Sequence, residues 1–486
     1  MTESLMAQPT VRVGSVIDGV ERIGGGRATM PVANPYNGET IGFVDCALET
    51  DVDDALEAAR RSFHEAMKLM PAHRRADILR KAADLLESRA ESFARRVTLE
   101  AGKPIRDARA EVLRAVQVVR FASDEAKTLA GEMVPMDAAI GGERRIGIVR
   151  PYPIGVVAAI TPFNFPLNLV LHKVAPAIAA GNAVVLKPAE KTPLSAVALA
   201  RLFEEAGLPN GALNVVLGSG SVIGPRLVAD ARVAKISFTG SVPVGLKIKE
   251  QAGMKKLTLE LGSNAPNLVF EDADLEAAAN GLVRGAFAFS GQACISAQRI
   301  YVQSSVYDAF LDRFLERARL LRMGDPMDEG TDIGPMIDER EARRAEDWVA
   351  EAKAKGAVVA FGGERRGALM PPTVLTNVAP EMKVVCREVF APIVVVVPFD
   401  TEEEAIRLAN DSDFGLQAGV FTASIDRAMR VAEALETGGV WINEISTYRQ
   451  DNHPYGGVKL SGVGKEGVKY AVREMMETKF IGMKLA

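Results

Sequence analysis

Cysteine is scarce in this chain: Cys46, Cys294 and Cys386 are the only three among 486 residues. Three thiols cannot build a disulfide framework, so a reducing compartment is the default expectation. Histidine is nearly as rare, with four scattered residues, and no His/Cys spacing suits a metal, so none is expected. Charge of one sign is not in excess either. Lys and Arg number 58 against 63 Asp and Glu, a net charge of −5, which leaves no basic face for nucleic acid or an anionic membrane. A small anionic substrate is still allowed, because it needs only one or two local arginines. No stretch of about 18 apolar residues occurs, and the opening MTESLMAQPT has neither a basic n-region nor an apolar h-region. A soluble, cytoplasmic protein is therefore expected. Internal repeats, low-complexity tracts and Ser/Gly linkers are also missing, which predicts parts that pack closely.

What is present is an ordinary globular balance, 48% hydrophobic and 25% charged. The length predicts about three domains. Val52, Ala55, Leu56, Ala59 and Phe63 recur at helical spacing, as do Leu79, Ala82, Leu86, Phe93 and Val97 in one helix stopped by Gly102-Lys103-Pro104, and Val112, Ala115, Val119 and Ala122 in another. From Val156 onward the pattern is regular alternation. Strands at 156–160, 183–186, 213–217, 233–238 and 256–261 are separated by helices at 167–180, 195–206, 222–229 and 244–252. Short apolar strands joined by helices argue for a parallel sheet covered on both faces, the doubly wound nucleotide-binding type of α/β fold. A second α/β series follows Gly262, and Thr478–Leu485 reads as an edge strand able to pair with another subunit.

Several residues in this frame are candidates for chemistry. Gly218, Gly220 and Gly224 lie between a strand and a helix, where a phosphate loop belongs, although G-x-G-x-x-x-G departs from the dinucleotide fingerprint and a plain tight turn fits as well. Phe238-Thr239-Gly240-Ser241 precedes the next helix, whose N-terminal N–H groups favour a pyrophosphate. Lys187 and Glu190 end a strand at the edge where open α/β sheets bind ligands, and the carboxylate suits a ribose diol; a solvated loop pair is the alternative. Cys294, flanked by Gly291 and Gln292, is either a small core residue or a nucleophile. Glu260 ends the apolar strand 257–261, where desolvation would raise a carboxyl toward neutrality and make it a base; a merely exposed strand end is the other reading. Cys46 and Cys386 lack such surroundings and read as structural.

Seven motifs then occur in a specific order. They are Thr161-Pro162-Phe163-Asn164-Phe165-Pro166, Lys187-Pro188-Ala189-Glu190, Phe238-Thr239-Gly240-Ser241, Leu259-Glu260-Leu261-Gly262, Gly291-Gln292-Ala293-Cys294, Glu388-Val389-Phe390-Ala391-Pro392 and Pro454-Tyr455-Gly456-Gly457-Val458-Lys459-Leu460-Ser461-Gly462. Through them the chain resembles the NAD(P)-dependent aldehyde dehydrogenases over nearly its whole length. Ser263 departs from the pattern, which has a second glycine there. The resemblance implies an NAD-binding domain from 1–129 and 150–261, a catalytic domain at 262–447, an oligomerisation arm from 130–149 and 471–486, and a return of 448–470 to the substrate tunnel. A homodimer or homotetramer is implied.

It further implies that Cys294 attacks the aldehyde, that Asn164 and the Cys294 N–H hold the oxyanion, and that Glu260 activates water on the thioester. NAD, rather than NADP, would be held by Thr161, Pro162, Phe163, Lys187, Ala189, Glu190, Gly220, Phe238, Thr239, Gly240, Ser241, Leu261, Glu388 and Phe390. A CoA-acylating aldehyde dehydrogenase, a non-catalytic NAD-binding protein and a thiol esterase are the competing readings. The segment Ile445–His453 is similar to that of the branch acting on small hydroxylated or anionic aldehydes, such as lactaldehyde, glyceraldehyde 3-phosphate, phosphonoacetaldehyde and sulfolactaldehyde. Within it Arg449 and His453 are the expected substrate contacts, with a surface pair between Arg449 and Asp451 as the alternative.

Overall fold

The computed structural model describes residues 11–486; the opening MTESLMAQPT, and with it the reading that no leader is present, lies outside the described residues. Two large sheets organise the rest. The first has eight strands, and its five central ones, 256–260, 233–239, 156–160, 183–187 and 213–215 in spatial order, run parallel. Antiparallel strands close its edges: Ser15–Ile17 and Val20–Arg22 on one side, Gly462–Val463 on the other. The chain runs outward from 156–160 through 183–187 to 213–215, then returns to 233–239 on the opposite side of 156–160. That reversal opens a crevice at the carboxyl ends of the strands. The central strands are buried almost throughout, as expected where helices cover both faces.

The second sheet has seven strands, in the order 358–361, 373–376, 393–399, 299–303, 266–269, 417–421 and 439–442, all parallel except the first. A third, three-stranded antiparallel sheet stands apart. In it Arg145–Pro153 pairs with Glu132–Val134 and with Met476–Lys484. The C-terminal strand is an edge strand, as the sequence predicts, and it leaves Phe480 and Met483 half exposed. Its anchor is the short helix Val468–Glu474, since Val468, Val472, Met475 and Met476 are buried in the core of the first sheet. That anchoring places the start of the arm at Met476 rather than at 471, and the other arm strand extends past 149 to Pro153.

Other differences from the expected elements are small and have local causes. The periodicity through Leu79 and Val97 predicts one helix, but the chain forms two, Ala72–Ser88 and Ala90–Ala101, broken where Arg89 leaves helical geometry at φ −112°, ψ 16°. Gly102 ends the second at φ +70°, as expected of a glycine stop. Among the described residues no helix is long and apolar enough to cross a membrane, no His/Cys/Asp/Glu cluster could hold a metal, and all three cysteines are free.

Candidate active site

The parallel strands of the first sheet end level with one another. Ile160 sits opposite both Phe238 and Lys187, and Thr239 opposite Glu260. A cavity of about 1570 Å³ opens over these ends and reaches across to the second sheet. Thr161, Pro162, Phe163, Lys187, Ala189 and Gly220 line its first-sheet side, with Phe238, Thr239, Gly240, Ser241 and Leu261; Cys294, Glu388 and Phe390 line the opposite side; Asn164, Glu260 and Arg449 also face it. Glu190 and His453 are off its wall, as is Gly218 of the candidate phosphate loop.

The first-sheet side fits a dinucleotide. Pro225, Val228, Val244 and Ile248, from helices Gly220–Ala229 and Val242–Gln251, give this part of the cavity an apolar lining. Beside it the buried Lys187 ammonium donates within the chain only to the Pro188 carbonyl, at 2.9 Å, and keeps donors free; burial pulls its pKa down. Glu190 stands on the rim and is held there, because the Gly220 N–H at the helix start donates to its Oε1 at 2.6 Å. Ser241 caps the next helix with its backbone alone, leaving its hydroxyl unspent.

Farther in, Glu388 lies against the backbone of Gly262, where a Cβ would come within 2.4 Å of its Oε2. The Ser263 N–H donates to the Glu388 Oε1 at 3.1 Å, and burial pushes the carboxyl up to about 7. Ser263 itself is not at positive φ, so a serine in place of the usual glycine adds no backbone strain. Phe390 does sit at φ +50°, an uncommon conformation for an aromatic residue, and its ring meets Phe163 edge-on at 5.9 Å.

Cys294 follows a strained turn in which Phe289, Ser290 and Gly291 have φ of +48°, +55° and +66°. A run of left-handed residues persists only where surrounding bonds fix it. Here the Ser290 hydroxyl donates to the Gly334 carbonyl at 2.7 Å, the Ile337 N–H to the Gln292 side chain at 2.8 Å, and the Asn164 amide to the Gln292 carbonyl at 2.9 Å. The Cys294 N–H finds no acceptor among the described residues. The Cys294 Sγ lies 3.1 Å from the Tyr455 hydroxyl, and burial pushes the thiol up to about 12 despite that bond.

Behind the thiol is a group of buried charges drawn from distant segments. Arg449 lies 3.6 Å above the Tyr455 ring and donates to the Glu466 Oε2 at 3.1 Å. Lys173 donates at 2.7 Å both to the Glu466 Oε1 and to the Thr239 hydroxyl. These two cations outweigh burial and hold Glu466 down at about 2. Glu260 has the opposite fate: both of its oxygens are buried without a hydrogen-bond partner, and one sits so close to Gly456 that a Cβ there would approach it to 2.9 Å. Burial, with the nearby negative Glu466, pushes Glu260 well above the usual carboxylate range. The two neighbouring carboxyl groups are thus driven in opposite directions, Glu466 toward the anion and Glu260 toward the protonated form.

The structure places the two expected substrate contacts differently: Arg449 lines the cavity with its Nε unpartnered, and His453 does not line it. His453 bonds through Nδ1 to the carbonyl of its own neighbour Pro454 at 2.9 Å and packs on Trp441, away from the cavity. Arg449 is neither an open fork nor a surface partner of Asp451. It is sequestered between Tyr455 and Glu466, while Asp451 accepts two bonds from Arg114 and pairs with His172 at 2.8 Å. Lys173 and Glu466 escaped the sequence reading. A lysine inside the otherwise apolar helix Asn168–Ala180 was the available signal, since buried lysines are rare unless paired. Glu466 carried none, because its importance comes only from the fold bringing it to Lys173.

Comparison with known proteins agrees with this geometry. The profile of the aldehyde dehydrogenase family matches residues 23–481. The 3-sulfolactaldehyde dehydrogenase of Priestia aryabhattai is 48% identical over 456 residues, covering 94% of this chain and 95% of that protein. Among solved structures, aldehyde dehydrogenase 21 from Physcomitrella patens, in complex with the reaction product succinate, superposes with a TM-score of 0.95 at 39% identity and covers 98% of this chain and 99% of its own. The glyceraldehyde-3-phosphate dehydrogenase of Methanocaldococcus jannaschii, complexed with NADP, gives 0.91 at 40% identity, with 95% and 100% covered.

Proposed function

We propose, from the premise that the chain belongs to the aldehyde dehydrogenase family, that this oxidoreductase converts a small aldehyde to the free carboxylic acid through a thiohemiacetal and then a thioester on Cys294. The observation that carries this reading is the buried, unpartnered Glu260 carboxyl in the same cavity as the Cys294 thiol. Its raised pKa suits it to accept the thiol proton and, once that proton has passed to solvent, a proton from water. Attack of the Cys294 sulfur on the carbonyl carbon forms the C–S bond and an oxyanion, which the free Cys294 N–H and the Asn164 amide stabilise; one such donor is worth about 3 kcal/mol. A nicotinamide held beside Glu388, Phe390 and Phe163 would supply the hydride acceptor for oxidation of this adduct to the thioester. Water then attacks the thioester, Glu260 takes its proton, and the Cys294 sulfur departs as the leaving group. Glu388, Phe390 and Phe163 position the nicotinamide end, Lys187 and Glu190 the adenosine ribose, and Ser241 the pyrophosphate. The exposed edge strand Met476–Lys484 serves assembly into a homodimer or homotetramer.

A CoA-acylating enzyme has no need of a base at Glu260, a thiol esterase has no use for the dinucleotide cleft, and a non-catalytic protein would have no reason to hold a thiol beside a raised carboxyl. The deciding experiment is NADH release across lactaldehyde, succinate semialdehyde, glyceraldehyde 3-phosphate and unbranched aliphatic aldehydes, with and without CoA. Acid production without CoA supports the reading, and silence with every aldehyde overturns it.

Two expected results follow from the same site. Because the Gly220 N–H fixes Glu190 on the rim, its carboxylate meets the ribose hydroxyls of NAD but repels the extra phosphate of NADP, by about 1–3 kcal/mol at close range. Wild-type kcat/KM should favour NAD at least about tenfold, and Glu190→Gln should narrow the gap; equal constants for the wild type would refute the role. Arg449→Ala should lower kcat/KM by about tenfold or more on anionic and neutral aldehydes alike, because it strips Glu466 and Tyr455 of a buried cation. A loss confined to anionic substrates would show that Arg449 reads the substrate after all.

A further inference from the structure

The arginine expected to read an anionic substrate is committed to Glu466, and the neighbouring Arg114 is committed to Asp451. The Lys103 ammonium pairs with Glu111 between the rings of Phe165 and Phe289. Three cations on the wall of the same cavity, Lys247, Arg284 and Arg387, have no such commitment, and of these Arg284 is the one on the helix tied to the segment carrying Cys294. Arg284 is exposed to the cavity and makes neither a hydrogen bond nor a salt bridge with any described residue. Its closest acidic neighbour in charge terms is Asp107, which lies beyond ion-pair distance and whose pKa burial pushes up.

Two hydrogen bonds and one close approach tie the helix turn that carries this arginine to the segments around the reacting thiol. Arg284 is in the last turn of helix Leu275–Phe287, and the next carbonyl, that of Gly285, accepts the Ala297 N–H at 3.1 Å, three residues after Cys294. From the other side, the Ser446 hydroxyl donates to the Ile295 carbonyl at 3.0 Å and so ties the 445–449 segment to the residue following Cys294. Thr447 in that segment lies against the same helix turn: a Cβ on Gly285 would be 2.9 Å from its Oγ1. That hydroxyl is buried, lines the cavity and has no hydrogen-bond partner. A buried hydroxyl without a partner is an unsatisfied arrangement unless something else completes it, and the residue before Gly285 on the facing helix turn is the unpaired Arg284. Ala110 and Ala288 line the cavity nearby and bring little bulk, which leaves room for that group.

We propose that Arg284 and the Thr447 hydroxyl form the subsite that receives the distal anionic group of the substrate, making the substrate class short aldehydes that carry a carboxylate, sulfonate or phosphate at the far end. The proposal rests on the aldehyde oxidation proposed above. The guanidinium fork supplies parallel donors for two anion oxygens, and Thr447 supplies a third donor, while the aldehyde end points to Cys294.

The test compares kcat/KM for succinate semialdehyde and butanal in the wild type, Arg284→Ala, Arg284→Lys and Thr447→Val. The ratio between the two substrates should fall about tenfold to a hundredfold in Arg284→Ala, chiefly through KM, as expected for loss of a charge-assisted bond. Arg284→Lys should recover part of the preference, and Thr447→Val should lose less than Arg284→Ala. A second measurement needs no turnover: succinate should slow alkylation of Cys294 by iodoacetamide, followed by peptide mass spectrometry, in the wild type but not in Arg284→Ala. An unchanged substrate ratio, or equal succinate protection in both proteins, overturns the subsite. If the wild type oxidises neither aldehyde, the proposed function fails, yet the protection measurement still decides whether Arg284 binds the anion.

Discussion

Cys294→Ala is expected to lower aldehyde oxidation by more than about a thousandfold, because the covalent route through the thiohemiacetal disappears with the sulfur. The fold should survive the change. Cys294 is only partly buried, packs in a small cluster with Ile295, Leu416 and Tyr455, and gives up one hydrogen bond to the Tyr455 hydroxyl, worth about 1 kcal/mol. Stopped-flow NADH formation and thermal denaturation check the two halves separately. Retention of a tenth of the wild-type rate by a well-folded variant would remove Cys294 from the nucleophile role. The pH profile carries the same assignment. Burial holds the thiol up to about 12, so the resting enzyme keeps it protonated and needs an acceptor for its proton. The rate of attack should therefore rise with pH, by about tenfold per unit where Glu260 is still protonated, and level off once Glu260 is ionised. A rate that falls as pH rises through neutrality would contradict that order of events.

The sequence alone exposed much of this site, and for a physical reason. Residues at the carboxyl ends of parallel strands are placed by the fold class, so finding the strands 156–160, 183–187, 233–239 and 256–260 also found Lys187, Thr239 and Glu260. What stayed hidden depends on contacts between segments far apart in the chain. Glu466 joins Arg449 to Lys173, almost 300 positions away, and the buried counter-ion this gives Arg449 has no trace in the sequence around it. The anchoring of the C-terminal strand at Met476 is likewise a tertiary effect that hydrophobic spacing does not encode. Arg284 was invisible for the converse reason. Its side chain is left unpaired beside the segment carrying Cys294, and a missing partner has no sequence pattern.

Glu260→Gln should separate the two halves of the reaction. The amide has nearly the shape of the carboxyl, and the wild-type oxygens make no hydrogen bonds that the change would break, so the burial site should tolerate it. It cannot take a proton from water, however, and deacylation should slow by about a hundredfold to ten-thousandfold, the usual yield of a positioned base. If attack by Cys294 is less dependent on Glu260, mixing the variant with aldehyde and NAD should give a burst of about one NADH per active subunit, followed by slow turnover. The thioester would accumulate and be visible as an acyl mass added to the peptide carrying Cys294. If the burst vanishes with the turnover, Glu260 acts first on the thiol, and the pH dependence of the residual rate should then climb without a plateau, following the thiol itself. The neighbouring charges make these outcomes distinguishable: Lys173 and Arg449 keep Glu466 ionised near the reacting groups throughout, so no second carboxyl there is placed to replace the lost base. Full activity in a folded Glu260→Gln protein would mean that water is activated elsewhere and that the raised carboxyl is not part of the chemistry.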